Sequence, residues 1–354
     1  MDFSRPDNAR QINRLKTLSA IRGGKDMSRA ELSRELLINK VSISEIVDSL
    51  IKDGLIRESG KKMSESGRPA TILEIDVRAG KVLSLIIKDK GCMIAASDLM
   101  GKILRMERFP RGNGAEEFKE NLNSSLQRML RNESVRIYGA VIVSDEDIPG
   151  LSDVLPFPSL RVSQIEAAVR AERKQCLENF DDMLFIMLSE RITAYFKPHV
   201  LNEFSHMRLT QGEKCYCGRS GCLESFLSGQ AIRRQLFKMH AKEMSTREIL
   251  SSAEARELIK GRLKHLSIAI ALAAEVLGAS NAMLLGEYSA MSDEDYTELN
   301  NMVLSLLPDW KKNFTVFKST QADGGIAEGA CEIALDHYFY KTRLLESLKE
   351  IESL

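Results

Sequence analysis

The chain has 354 residues, 50 basic and 50 acidic side chains, and an apolar fraction of 44%. That balance fits a globular protein of two or three domains and excludes a disordered, collagen-like or disulfide-scaffold chain. The longest apolar helix-like run, Leu266 to Leu277, is interrupted by Ser267 and Glu275 and is too short to span a bilayer. No apolar stretch follows the N-terminal MDFSRPDNAR, so the expected location is cytoplasmic, with no membrane partner.

Charge is uneven. Residues 1–72 carry 14 Lys/Arg and 10 Asp/Glu, so 14 − 10 gives +4 on a chain whose total is zero, a hint of a polyanionic partner. From Asn8 to Arg22, Ile12, Leu15, Leu18 and Ile21 form one helical stripe, which Gly23 and Gly24 end. Ser28-Arg29-Ala30-Glu31 has the form of a capping box and starts a short helix through Leu36, with Leu32, Leu36 and Leu37 inward. Asn39 then caps a helix from Lys40 to about Lys52, with Ile43, Ile46, Val47 and Leu50 inward and Gly54 closing it. Two short helices joined by a tight turn after a longer one make a helix-turn-helix.

Leu55–Glu58 and Thr71–Ile75, around the tip SGKKMSESGRPA, predict a hairpin that completes a wing; a generic three-helix bundle with a hairpin is the alternative. In this geometry the Lys40–Lys52 helix enters the major groove, with Lys40, Ser42, Ser44 and Glu45 near base edges. Arg57, Lys61 and Lys62 suit phosphates, which position a protein without reading sequence. Ser66-Gly67-Arg68-Pro69 resembles an AT-hook peptide, whose extended arginine fits the narrow minor groove of A·T-rich DNA. A solvated wing charge is the other role open to Arg68.

From Val82 the pattern changes to strands. VLSLII, CMIAASDL and KILRMERF are separated by turns at Asp89-Lys90-Gly91 and Met100-Gly101, then followed by a helix over Glu116–Arg131 and a strand at Ile137–Val143. A second strand-and-helix region begins near Asp181 with the strand Met183–Leu188. It continues with helices at Gly229–His240 and Ala253–Leu277, a strand at Asn281–Leu285, and helices at Asp293–Leu307 and Ile326–Phe339. Alternation of this kind is α/β, and the sequence shows no internal repeat.

Between the strand and the helices lies EFSHMRLTQGEKCYCGRSGCLE, with Cys215, Cys217 and Cys222 within eight positions and His206 nine residues before them. Three thiolates and an imidazole complete a tetrahedral zinc set with no open position, so the metal is expected to be structural. Gly218 and Gly221 let the backbone turn tightly around it. A reduced thiol cluster in a surface loop is the alternative.

The run His, then Cys-x-Cys-Gly-x-x-Gly-Cys-Leu-Glu, resembles the signature of the ROK family, which contains sugar kinases and sugar-responsive transcriptional repressors. The resemblance implies a bilobed, actin-like (RNase H-like) ATPase body, a zinc loop beside a sugar pocket, and a homodimer or higher homo-oligomer. Repressor members add a winged helix-turn-helix and a Gly-Arg-Pro element like that at Gly67–Pro69. By the same resemblance Glu203, His206 and Glu224 contact sugar hydroxyls; a purely structural role for the two carboxylates is the alternative.

The kinase chemistry is missing where the resemblance would put it. The base position falls on Gln164 within Ser163-Gln164-Ile165-Glu166, and an amide accepts no proton at neutral pH. The glycine-rich phosphate turn corresponds to Leu188–Ala194, which has no glycine and adds Glu190, and a further turn becomes Ser144-Asp145-Glu146-Asp147. Acidic turns repel a triphosphate.

The expectation is therefore a winged helix-turn-helix over 1–76 and an α/β kinase-like body of two lobes, 77–180 and 181–354. Its function is that of a transcriptional regulator, most simply a repressor, bound to double-stranded DNA at an inverted repeat. It is not an enzyme, it holds structural Zn²⁺, and its body serves either as the sensor of a sugar effector or as a scaffold for assembly. A sugar kinase with an accessory N-terminal module is the alternative.

Overall fold

A computed structural model describes residues 6–63, 69–88, 91–131, 135–146, 148, 151–175, 180–241, 246–319, 321 and 325–341. The N-terminal stripe lies on helix α1 (Pro6–Gly23). Helix α2 (Arg29–Glu35) starts at a complete capping box: Ser28 Oγ accepts from the Glu31 N–H, and the Glu31 carboxylate accepts from the Ser28 N–H at 2.9 Å. Helix α3 (Lys40–Lys52) starts where Asn39 Oδ1 accepts the Ser42 N–H at 2.9 Å, and it buries Ile43, Ile46, Val47 and Leu50. Arg14 of α1 holds α3 by donating to Ser49 Oγ and, at 2.5 Å, to Asp53. Strands β1 (Ile56–Met63) and β2 (Pro69–Ile75) pair antiparallel from Ile56 opposite Ile75 to Met63 opposite Pro69. The Leu73 N–H donates to Met27 O at 2.8 Å and ties this wing to the helices.

The chain continues through β3 (Lys81–Lys88), β4 (Gly91–Ser97), β5 (Ile103–Phe109), α4 (Ala115–Met129), β6 (Ile137–Val143), α5 (Leu151–Val154) and β7 (Ser159–Val162). The sheet runs β5-β4-β3-β6-β7. Its first three strands form an antiparallel meander, while β6 and β7 run parallel to β3. Leu83, Leu85 and Ile87 of β3 pack on Phe118, Leu122 and Leu126 of α4.

Next come α6 (Gln164–Gln175), β8 (Met183–Leu188), β9 (Ile192–Phe196), β10 (His199–Leu201), α7 (Leu223–Leu227), α8 (Gly229–His240), α9 (Thr246–Ser251) and α10 (Ala253–Lys260). They are followed by α11 (Leu263–Leu277), β11 (Asn281–Leu285), α12 (Asp293–Leu306), β12 (Val316–Lys318) and α13 (Gly325–Ala334), which runs on as a π-helical turn, Leu335–Phe339. This sheet runs β10-β9-β8-β11-β12, again a meander followed by two parallel strands. The topology therefore repeats although the sequence does not. All six residues of β8 are buried because both faces are covered. Leu184, Ile186 and Leu188 join Leu266 and Ile270 on one side; Met183, Phe185 and Met187 join Ile165 and Val169 on the other.

Several boundaries differ from the sequence expectation; β1, for one, continues to Met63 where the sequence predicts a strand ending at Glu58. The helix expected over Ala253–Leu277 is broken at Gly261 and Arg262, where the Arg262 guanidinium turns inward to Phe226 O and, at 2.8 Å, Gln235 Oε1. The chain also divides into compact units of Met1–Val162 with Ala330–Leu354, and Ser163–Gly329. Helix α6 thus belongs to the second unit, and the C-terminal helical turn returns to the first. There Arg22 of α1 pairs with Glu332 and, at 3.4 Å, with Asp336. Its guanidinium lies 4.5 Å over the ring of Tyr340, whose hydroxyl donates to Leu99 O at 2.8 Å.

Candidate functional site

His206 ends a 3₁₀ turn, Asn202–His206, directly after β10. The loop beyond it folds back on itself: the Leu209 N–H donates to Gly221 O (3.0 Å), Cys215 N–H to Arg219 O (2.8 Å), Gly218 N–H to Cys215 O (3.0 Å) and Leu223 N–H to Met207 O (3.0 Å). Gly218 and Gly221 make the two left-handed turns, at φ +85° and +80°. The result brings one ligand atom each from His206, Cys215, Cys217 and Cys222 within 4.8 Å of one another.

The geometry fits a metal ion. Cys217 Sγ and Cys222 Sγ are 3.7 Å apart, and Cys215 Sγ lies 3.5 Å from His206 Nδ1. A tetrahedron with metal–sulfur bonds of about 2.3 Å has edges of about 3.8 Å, slightly shorter where nitrogen replaces sulfur. Burial pushes the Cys222 thiol up to about 12 and also raises Cys215, whereas hydrogen bonding from the Arg219 backbone and side chain brings Cys217 down to about 7. Two thiols that burial keeps protonated become thiolates when a dication shares their pocket.

The residues expected at a sugar pocket surround this cluster unevenly. Glu203 is exposed and pairs with Arg219 at 3.4 Å. Glu224, the second residue of α7, is buried; one carboxylate oxygen accepts the Ile192 N–H at 2.9 Å, and the other has no hydrogen-bond partner among the described residues. Burial pushes its carboxyl up to about 7. Tyr216, not singled out in the sequence, packs edge-on against His206 with centroids 5.0 Å apart and lies 5.2 Å under the Arg191 guanidinium. Its only sequence signal is an aromatic between two ligands.

The segments expected to have lost kinase chemistry have structural roles. Ser163 and Glu166 form a capping box, with Ser163 N–H and Oγ donating to the Glu166 carboxylate at 2.8 and 2.7 Å, and Gln164 is the first residue of α6. Ser189, Glu190 and Arg191 make the tight turn between β8 and β9, and Glu190 pairs with Arg233. The first N–H groups of α8 are occupied: Gly229 donates to Ser189 O (2.8 Å), Gln230 to Glu190 O (3.2 Å) and Ala231 to Ser228 Oγ (3.1 Å). A helix start whose donors are already bonded offers no anion site. In the acidic turn, Ser144 and Glu146 bond to each other and Glu146 pairs with Arg111 at 3.2 Å, while Asp147 lies outside the described residues.

In the N-terminal module Lys40 and Glu45 are exposed and Ser42 and Ser44 half-buried, all on the early turns of α3. Among the expected phosphate contacts, Lys61 is exposed, Arg57 pairs with Glu74 at 2.9 Å, and Lys62 pairs with Glu31 of the capping box at 2.6 Å. Arg68 lies outside the described residues.

The family model described as "ROK family" matches residues 199–337, the stretch that carries the metal loop. Over this stretch the chain is similar to the ROK family. It is similar to the putative xylose repressor of Caldicellulosiruptor sp., 23% identical over 262 residues; the match spans 63% of this chain and 65%, just under two thirds, of that protein. In fold it is similar to a ROK family transcriptional regulator described as a homolog of the E. coli MLC protein. That structure has a TM-score of 0.75 at 18% identity, covering 96% of this chain and 99% of the other. A ROK hexokinase from Thermus thermophilus gives a TM-score of 0.58 at 19% identity, covering 71% of this chain and 97% of the hexokinase. Among the described residues, no helix of this protein is long and apolar enough to cross a membrane.

Proposed function

We propose that this protein is a ROK-family, DNA-binding transcriptional repressor whose kinase-like body does not phosphorylate sugars. The observation that carries this is the N-terminal module itself: a capped two-helix turn, an α3 with an exposed early face, and a paired wing. The likeness to a whole regulator over 96% of the chain, against 71% for a kinase, supports it. In this proposal residues 1–76 bind duplex DNA. Lys40, Ser42, Ser44 and Glu45 face base edges, Arg57, Lys61 and Lys62 face phosphates, and Arg68 enters the minor groove. Two copies reading an inverted repeat match the two-fold symmetry of such operators.

Zinc bound by His206, Cys215, Cys217 and Cys222 supplies charge and cross-linking to the loop and leaves no coordination position open for chemistry. Glu203, His206 and Glu224 are the groups proposed to meet a sugar effector; the unsatisfied buried oxygen of Glu224 supports a hydroxyl donor there. The amide at Gln164 and the bonded N-terminus of α8 support a body without phosphoryl transfer.

Duplex binding by the full chain tests the proposal. Binding should fall steeply with salt, disappear when residues 1–76 are deleted, and lose about one unit of salt slope in Lys61→Ala. Unchanged DNA affinity in the deletion, or sugar-dependent ATP turnover at ordinary enzymatic rates, would overturn it.

A further inference from the structure

The turn between α2 and α3 and the first turn of α3 each hold a side chain that folding does not explain. Leu37, expected from the sequence to face inward with Leu32, is instead 92% exposed, because its backbone turns left-handed at φ 54° and ends the helical stripe before it. Glycine or asparagine adopts that conformation readily, whereas the Cβ of a leucine crowds the following carbonyl oxygen. The turn is pinned on both sides: Ser33 Oγ donates to Ile38 O at 2.6 Å, the Leu36 N–H donates to Leu32 O at 3.0 Å, and Asn39 caps α3. Four residues on, Val41 is 70% exposed at the second position of α3, whose inward stripe is already complete with Ile43, Ile46, Val47 and Leu50.

A single exposed apolar side chain needs no explanation. A leucine kept in an unfavourable conformation while giving nothing to the core does, because strain of this kind persists where a side chain has work outside the fold. Its surroundings narrow the partner. Exposed Lys40 stands between the two residues, and the first turns of such a helix are those that meet base edges. Lys40, Ser42, Ser44 and Glu45 supply hydrogen-bonding groups, none of which recognises a methyl group. In the major groove only thymine presents one, at C5.

We propose that Leu37 and Val41 are specificity-determining residues that seat on thymine 5-methyl groups in the major groove of the operator half-site. This rests on the DNA-binding function proposed above. Burying one methyl corresponds to about a fourfold gain in affinity, and it separates T·A from every pair that shows no methyl at that position.

The test uses the full-length chain and a duplex it selects from a randomised pool. Each thymine of the half-site is replaced in turn by deoxyuridine, which keeps the base pair and removes only the methyl. Wild-type protein should lose about fourfold in affinity at one or two positions per half-site. Val41→Ala should bind the thymine duplex about fourfold more weakly and no longer distinguish uracil at its position. Leu37→Asn should do the same at a second position without loss of thermal stability, since asparagine tolerates the left-handed turn. Wild-type protein that binds the selected duplex yet ignores every deoxyuridine would overturn the inference and leave the DNA-binding function standing. So would either variant that keeps the full preference for thymine. Failure to select any duplex would instead refute DNA binding itself, and the methyl contact with it.

Discussion

Gly218 and Gly221 allow a controlled test of what shapes the metal loop. Both are left-handed, so alanine at either position costs about 1–2 kcal/mol from the backbone alone. They differ in what a Cβ would meet. At Gly218 no atom of the described residues, its chain neighbours aside, lies within 4 Å, whereas at Gly221 the new atom would lie 1.7 Å from Thr210 O and 2.8 Å from Thr210 C. Those are backbone atoms that cannot rotate away, which adds overpacking of about 1–3 kcal/mol. Gly218→Ala should therefore lose about 1–2 kcal/mol, and Gly221→Ala about 2–5 kcal/mol. Gly221 also precedes Cys222, and its N–H donates to Glu213 O at 3.2 Å, so the backbone shift is passed to a ligand. Urea unfolding at fixed zinc should rank the two variants in that order. Competition with a chelator should show Gly221→Ala at least about tenfold weaker for zinc, a difference of roughly 1.4 kcal/mol. Equal losses of stability, or a wild-type zinc affinity in Gly221→Ala, would refute the steric account.

Purified protein should carry one zinc per chain, and Cys217→Ser should lower both zinc content and melting temperature, because binding energy at a structural site is folding energy. Metal analysis of fully folded protein free of zinc would sink that expectation. Arg22→Leu should destabilise the first unit by about 3 kcal/mol, at the lower end for a broken buried pair. The Glu332 side chain is only 5% exposed and loses its cation, although it keeps other interactions. An Arg22→Leu variant within 1 kcal/mol of wild type in urea (about the size of a surface pair) would show that the pair contributes little.

Local codes determined much of this protein. The caps at Ser28 and Asn39, the inward stripe of α3, the six-residue apolar run of β8 and the Cys-x-Cys spacing each act over a few residues. Such features are legible because periodicity and capping depend only on near neighbours. The short strands β7, β10 and β12, of four, three and three residues, carry too little pattern to be read that way. Their places exist only because a neighbouring strand offers an edge. Tertiary structure alone decided that both sheets share one strand order, that Lys62 meets Glu31, and that Ser189 and Glu190 occupy the start of α8. It also decided that Glu224 is buried under the Ile192 N–H and that the C-terminal helical turn returns to Arg22. Each joins segments distant in sequence, and which partner wins depends on how the whole chain packs, a quantity no short window of residues contains.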